Sequence, residues 1–382
     1  MITRLAEKLV CRRLALFPSV AIVGPRQVGK TTLAKTLGGA YFDLEQEADR
    51  LKLDVKWDDI TSGAELVVLD EVQCWPEVMP RLRGVIDADR SRMGRFLLLG
   101  SVAPSLMVDV SESLAGRLSL VELTPLVLSE LSNTTIDDLW LYGGFPDGGV
   151  LGAERYPVWH EAYLNLLVHR DLPTWGLPSK PVISDRLIRM TAAWHGQLWN
   201  ASQMARNLGI SHPTANSYVD FLAGAFLVRK LPSYTANLGK RLVKSPRLYW
   251  RDSGLLHSIL GVKDLEDLLT RPWVGASWEG FVLDQIVSTF AQLGRRCVAY
   301  FFRTSDGAEI DIVLEVGAEL WAIEIKLTSN PSVQDLRKLE RMGDLIGATR
   351  KVLISRTRSP EVGEGVMSCG LEWFLDWLVS QE

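Results

Sequence analysis

Two stretches of this 382-residue sequence hold residues whose types and spacing support chemistry. In the first, Gly24 to Thr31 reads GPRQVGKT and fits the pattern GxxxxGK[ST]. Glycines in such a loop let backbone N–H groups curl around phosphates, Lys30 reaches the β and γ phosphates, and the Thr31 hydroxyl ligates Mg2+. Gly24, Pro25, Arg26, Gln27, Val28, Gly29, Lys30, Thr31 and Thr32 are therefore the expected nucleotide contacts. Further along, ELVVLDEVQ ends an apolar run in Asp70 and Glu71. One carboxylate there can hold the Mg2+ shell while its neighbour polarises an attacking water. The second stretch, residues 309–326, reads EIDIVLEVGAELWAIEIK. With Gly317-Ala318 as a two-residue loop it closes a hairpin in which Asp311 lies opposite Glu324, and Lys326 shares the face of Glu324. Like charges directly opposite in a sheet repel. The counter-ion is either Lys326 or a divalent metal, and Ile310, Ile312, Ile323 and Ile325 make the opposite, core face.

These residues need elements to hold them. SVAIV ahead of the phosphate loop reads as a buried strand and TTLAKTL after it as a helix, the context such a loop requires. GRFLLLGS is a further apolar strand ending in Ser101, and Arg117 stands just before the next strand. Residues 135–195 mix helical periodicity with turn residues and predict a small helical lid. His160, His169 and His195 are spread too widely there for a metal site, and Arg170-Asp171 is either a nucleotide-sensing pair or a structural ion pair. In residues 201–222, ASQMARNLGISHPTANSYVDFL, the spacing of Met204, Ala205, Leu208, Gly209, Ile210, Ala215 and Tyr218 predicts a helix-turn-helix. Ser211 would cap the second helix, whose exposed face shows His212, Thr214, Asn216 and Ser217. Arg229, Lys230, Lys240, Arg241, Lys244, Arg247 and Arg251 follow without an acid, interleaved with Tyr234, Tyr249 and Trp250, as a basic wing suited to DNA phosphates. The alternative is that this module packs as an interaction domain. After a linker, helix 273–294, three antiparallel strands, a helix and a strand form an α/β core.

Composition bounds the possibilities. The apolar share of 47% supports ordinary packed cores, and a formal charge of −4 excludes a uniformly basic coat. Four cysteines at 11, 74, 297 and 369 form no CxxC pair, so neither a disulfide framework nor a zinc ribbon is indicated. The N-terminus lacks an apolar signal core and no apolar run reaches membrane-helix length, which together predict a cytoplasmic protein with no membrane partner.

The loop, LVVLDE, the polar residue after FLLLG and an arginine before the next strand resemble an AAA+ ATPase core. The order of the loop, DEVQ, FLLLGS, SLAGR, ELTPLVLSEL and YGGFP resembles, over nearly the whole chain, the bacterial and archaeal ATPases that carry a C-terminal domain of unknown function. The resemblance implies an α/β P-loop NTPase core (1–134), a helical lid (135–195), a winged helix-turn-helix (196–251), a linker (252–272) and a restriction-endonuclease-like domain (273–382). It implies ATP and Mg2+ as ligands, Glu71 and Lys30 as catalytic residues, and Ser101 at the first sensor position. Arg117 then stands where an arginine finger reaches a neighbouring copy in a homo-oligomer, or it is a salt-bridge arginine. The C-terminal pattern is similar to the PD-(D/E)XK nuclease fold, with Glu279, Asp311, Glu324 and Lys326 at its signature positions. That likeness implies Mg2+ or Mn2+ on the three carboxylates and Lys326 beside the attacking water. The readings that follow are an ATPase that moves and cleaves DNA, or a non-cleaving nucleotide-dependent regulator that binds DNA or protein.

Overall fold

The computed structural model describes residues 2–101, 114–235, 245–305 and 307–381. They form two compact units: Met1–Leu126 with Gly224–Phe226 and Gln292–Gly294, and Val127–Ala223 with Leu227–Ala291 and Arg295–Glu382.

In the first unit the described strands are β1 (Ser19–Gly24), β2 (Ala40–Asp43), β3 (Val67–Asp70), β4 (Phe96–Ser101) and β5 (Leu118–Glu122). They pair in the order β2-β3-β4-β1-β5, and every pairing is parallel. Strands β1, β3 and β4 are buried along their whole length, which is why each reads as a continuous apolar run rather than an alternation. Parallel pairing has a functional consequence. The carboxyl ends of β1, β3 and β4 fall on one edge of the sheet, so Gly24, Asp70 and Ser101 meet there although they are far apart in sequence. Gly24 is required by space: a Cβ would stand 2.1 Å from the Leu123 carbonyl oxygen. Gly29, at φ +93°, turns the loop into the helix Lys30–Thr36.

The second unit holds the remaining strands. A three-stranded antiparallel sheet pairs β6 (Gln197–Leu198) and β7 (Val228–Leu231) on either side of β8 (Arg247–Trp250). The helices Ala201–Leu208 and His212–Gly224 precede this hairpin, with Gly209 left-handed between them and the Thr214 N–H donating to the Ser211 hydroxyl at 3.2 Å. Two consecutive helices, the Gly209 turn and the Ser211 cap are thus present where the spacing predicts a helix-turn-helix.

The helix Val274–Gln292 then leads into β9 (Cys297–Arg303), β10 (Glu309–Val316) and β11 (Glu319–Ile325). After the helix Val333–Ile346 come β12 (Arg350–Ser355), β13 (Glu361–Val362) and β14 (Val366–Gly370). The sheet order is β13-β14-β12-β11-β10-β9. The β10–β11 register pairs Ile312 with Ile323 and Val316 with Glu319, the register that sets Asp311 against Glu324 one step beyond the ladder. A bulge between Ile310 and Val313 corrects the expected core face. Ile310 packs with Val313 and Leu339 on the side of helix Val333–Ile346, whereas Ile312, Ile323 and Ile325 join the core around Trp278 and Trp321.

That core also takes Leu139, Trp140, Leu231, Tyr249 and Leu268, so apolar side chains from the lid segment, the hairpin and the C-terminal sheet share one interior. Residues 252–272, expected as a linker, carry the helices Ser253–Ile259 and Leu265–Thr270, with Leu256 and Leu268 fully buried. Asp252 caps the first of these and also accepts the Gly144 N–H at 2.8 Å. A Cβ on Gly143 would lie 2.3 Å from Asp252 Oδ1, which explains the first glycine of YGGFP.

Candidate functional site

At the carboxyl edge of the parallel sheet, Lys30 Nζ donates to the carbonyl oxygens of Gly24 at 2.9 Å and Pro25 at 2.8 Å, and lies 3.4 Å from the Ser101 hydroxyl. Burial pulls its pKa down to about 8, while Glu71 and Asp70 raise it. The Thr31 hydroxyl donates to Asp70 Oδ2 at 2.6 Å. These are adjacent hard oxygens, one hydroxyl and one carboxylate, and as a donor set they fit Mg2+. Glu71, left-handed at φ +50° just past β3, accepts the Ser101 hydroxyl at 3.0 Å. The loop, Asp70, Glu71 and Ser101 therefore converge as their motifs predict, and Pro25, Arg26, Gln27, Val28 and Thr32 lie in the same loop and the helix it opens.

Two members of this site carry no motif. Arg4 is buried and donates to the carbonyl oxygens of Val28 at 2.8 Å and Thr124 at 2.7 Å, bracing the phosphate loop from the N-terminal segment. The Tyr41 hydroxyl donates to Asp70 Oδ2 at 2.8 Å. Burial, with the bond to Asp70, raises the Tyr41 pKa, so the phenol stays a donor. Its place beside Asp43 on β2, next to β3, was the only available signal.

Arg117 makes a two-pronged ion pair with Asp87, Nε to Oδ1 at 2.8 Å and Nη2 to Oδ2 at 2.9 Å. It precedes β5, whose Leu118 pairs with Ser19 at the start of β1, while the phosphate loop follows the end of β1. A strand of that length rises roughly 3.3 Å per residue. Arg117 is thus at the opposite edge of the sheet from its own chain's phosphate loop.

In the second unit the four C-terminal signature residues approach one another. Glu324 is 2% exposed, and its Oε1 accepts from Lys326 at 2.8 Å and from Lys338 at 3.0 Å. Asp311 Oδ2 accepts the Ile325 N–H at 2.8 Å. Burial, then the nearby Glu279 and Glu324, pushes the Asp311 carboxyl well above the usual carboxylate range. Glu279 accepts from Arg247 Nη1 at 3.0 Å and from the Tyr249 hydroxyl. Burial raises the Glu279 pKa, opposed by Arg247 and Tyr249. The expected metal set of Glu279, Asp311 and Glu324 does not fit a metal as arranged: among the described residues no group of three or more His, Cys, Asp or Glu could hold one. The physical reason is that Glu279 is turned to Arg247 and Tyr249, and Glu324 to two lysines.

The basic segment also differs from expectation. Arg229 pairs with Asp284 at 2.8 Å, Lys230 with Asp220 at 2.5 Å, Arg247 with Glu279 and Glu309, and Arg251 with Asp284 at 3.4 Å. Tyr249 and Trp250 are buried. Lys240, Arg241 and Lys244 lie outside the described residues. On the helix His212–Gly224, His212 and Ser217 are exposed, whereas Asn216 accepts from Trp199 Nε1 at 2.7 Å and Thr214 shares a hydrogen bond with Ser211. An open groove of about 540 Å³ runs past Trp199, Asn200, His212, Asn216 and Pro246.

His160 and His195 are buried on backbone carbonyls, of Tyr142 and Ala276 respectively, and His169 is exposed. Arg170 and Asp171 form an ion pair at 3.2 Å. Among the described residues no helix is long and apolar enough to cross a membrane.

Residues 17–132 match the AAA domain family AAA_14, residues 133–266 the domain of unknown function DUF8612, and residues 274–372 the domain of unknown function DUF4143. The chain is 39% identical over 328 residues to an uncharacterized protein of Mycobacterium tuberculosis and equally to one of Mycobacterium bovis, covering 84% of this chain and 73% of each relative. Among solved structures, a Walker-type ATPase of Pyrococcus abyssi is similar at 13% identity and a TM-score of 0.45, over 67% of this chain and 94% of that one. The chain therefore belongs to the same family as these uncharacterized mycobacterial proteins, with an AAA domain over residues 17–132 and a DUF4143 domain over residues 274–372.

Proposed function

We propose that this chain is an ATP-hydrolysing switch that engages DNA through its helix-turn-helix, with a C-terminal domain that binds without cutting. The observation that carries the ATPase part is the convergence of Lys30, the Thr31–Asp70 pair and the Glu71–Ser101 pair at one sheet edge. Thr31 and Asp70 would hold Mg2+, which would supply positive charge to the β and γ phosphates. Lys30 exchanges its two loop carbonyls for phosphate oxygens. Glu71 accepts a proton from water as the water oxygen bonds to the γ phosphorus, and the bond to the bridging oxygen breaks with its electron pair leaving on ADP. Glu71→Gln tests this: ATP binding is retained and turnover falls by a factor on the order of 10² or more. Undiminished turnover would refute the assignment of Glu71.

DNA contact is supported by the capped helix-turn-helix, its exposed His212 and Ser217, and the groove beside them. Electrophoretic mobility of duplex DNA, with and without ATP, should show binding that weakens with salt. Salt-independent binding, or none, refutes it. If Arg117 acts as a finger it serves a second copy, since it stands at the far edge of the sheet from its own phosphate loop.

A DNA-cleaving enzyme is the second reading: Asp311, Glu279 and Glu324 lie in one buried cluster, and cleavage would require Glu279 to leave Arg247 and Tyr249, and Glu324 its two lysines, to hold a metal. Incubation of plasmid with the chain in Mg2+ or Mn2+ separates the two. Cutting that Asp311→Ala abolishes establishes cleavage, and intact plasmid with preserved ATPase supports the non-cleaving switch.

A further inference from the structure

Both carboxylate oxygens of Glu71 are occupied, and by different partners. Oε1 accepts the Ser101 hydroxyl, and Oε2 accepts the side-chain amide of Gln73. Gln73 sits in the short 3-10 turn Val72–Cys74 directly after Glu71, and the left-handed backbone of Glu71 lets the two side chains meet. The other end of the same amide is different. Gln73 Oε1 is buried and has no hydrogen-bond partner among the described residues. A buried orphan acceptor is costly, and at a catalytic site it calls for a missing donor.

We propose that Gln73 is a positioning residue for the attacking water. Its N–H fixes the Glu71 carboxylate against Ser101, and its carbonyl oxygen accepts one O–H of the water whose other O–H points to Glu71. Each carboxylate oxygen has a second lone pair, so Glu71 Oε2 accepts from the water without releasing Gln73. The chemistry balances. One water proton passes to Glu71, the water oxygen bonds to the γ phosphorus, ADP departs with the electron pair of the broken P–O bond, and the proton ends on phosphate. This inference rests on Glu71 as the base.

The test measures kcat and KM for ATP with Mg2+ on the full chain carrying Gln73→Leu, alone and combined with Glu71→Gln. Gln73→Leu should lower kcat by about tenfold to a hundredfold with KM within about twofold. It should cost clearly less in the Glu71→Gln background, because its N–H acts through the Glu71 carboxylate and only its carbonyl contact to the water remains. Unchanged kcat, a loss carried in KM, or an equal loss in both backgrounds overturns the inference. If Gln73→Leu fails to fold, Gln73→Glu keeps the size and carbonyl oxygen but removes the N–H donor. It should also lower kcat at constant KM, and wild-type turnover would overturn the proposal. Wild-type turnover in Glu71→Gln refutes the base itself, whereas inactive Glu71→Gln beside fully active Gln73→Leu refutes only Gln73.

Discussion

Replacing Arg247 with methionine separates a structural arginine from one that contacts DNA. The side chain is 6% exposed, pairs with Glu279 at 3.0 Å and with Glu309, and stacks its guanidinium 4.9 Å from the Phe301 ring centre. Glu309 keeps Arg303 at 3.5 Å, so the group left behind is Glu279, which among the described residues then holds the Tyr249 hydroxyl alone. Removing one partner of a buried pair costs about 3–5 kcal/mol. Glu279 limits that cost by taking up a proton. Its folded pKa is already raised by burial, so stability in the variant is highest below the ordinary value of 4.5 and falls as pH rises toward the folded pKa. Below that folded pKa each pH unit returns about 1.4 kcal/mol. Urea unfolding followed by tryptophan fluorescence should therefore show the full loss at pH 8 and a smaller one at pH 5. Arg247→Met with Glu279→Gln should recover part of it, with a coupling of about 1–3 kcal/mol. Wild-type stability with weakened DNA binding, or additivity in the double variant, would refute this reasoning.

The phosphate loop makes its own pH statement. Lys30 titrates at about 8 without nucleotide, and phosphates favour its charged form, so calorimetry near pH 8 in two buffers should show proton uptake on ATP binding and an affinity that falls as pH rises. In the second unit burial lowers His160 to about 4, His195 to about 3 and His257 to about 4. The unfolded chain takes up protons first below pH 6.5, so stability falls with pH by about 1 kcal/mol per histidine between pH 6.5 and 5.5. Asp252, raised to about 6 by burial, opposes this and regains about 1 kcal/mol, and the raised Asp311 and Glu279 act in the same sense, so thermal or urea unfolding should show a smaller net loss than the histidines alone would give. Arg117→Ala should leave ATP affinity intact and lower turnover by a factor on the order of 10³ when copies associate. Unchanged turnover would assign Arg117 to Asp87 alone.

What could be read in the sequence was local. The phosphate loop announces itself because glycine spacing, strand and helix are contiguous, and the hairpin register follows from a two-residue turn and a side-chain period of two. The bulge that moves Ile310 to the other face adds no distinctive residue, so alternation alone misses it. The basic segment misled for another reason. Its cations look free because their partners, Asp284, Glu279 and Glu309, arrive from the C-terminal domain through tertiary packing. Arg4 and Lys338 escaped notice likewise: each is an ordinary residue of an amphipathic segment until the fold sets it beside Val28 or Glu324.

Opposed acids in a sheet need a positive charge, and among the described residues Lys326 just after β11 and Lys338 of the helix Val333–Ile346 both donate to Glu324, whereas Asp311 accepts a backbone N–H and feels Lys326 only through space. A proton is the remaining way to neutralise Asp311. Burial and the neighbouring Glu279 and Glu324 raise its pKa, so the folded chain binds a proton there that the unfolded chain has released. The sign follows: wild-type stability falls as pH rises from about 4 toward the folded pKa of Asp311. Asp311→Asn imitates the protonated carboxyl and retains an acceptor for the Ile325 N–H, so it should change stability by less than about 1 kcal/mol at pH 5 and be increasingly stabilising relative to wild type as pH rises. A metal-ligating Asp311 behaves oppositely. Thermal unfolding with and without Mn2+ then shows a metal-dependent rise in the wild-type melting temperature that Asp311→Asn abolishes, and that result would refute protonation as the balance in this cluster.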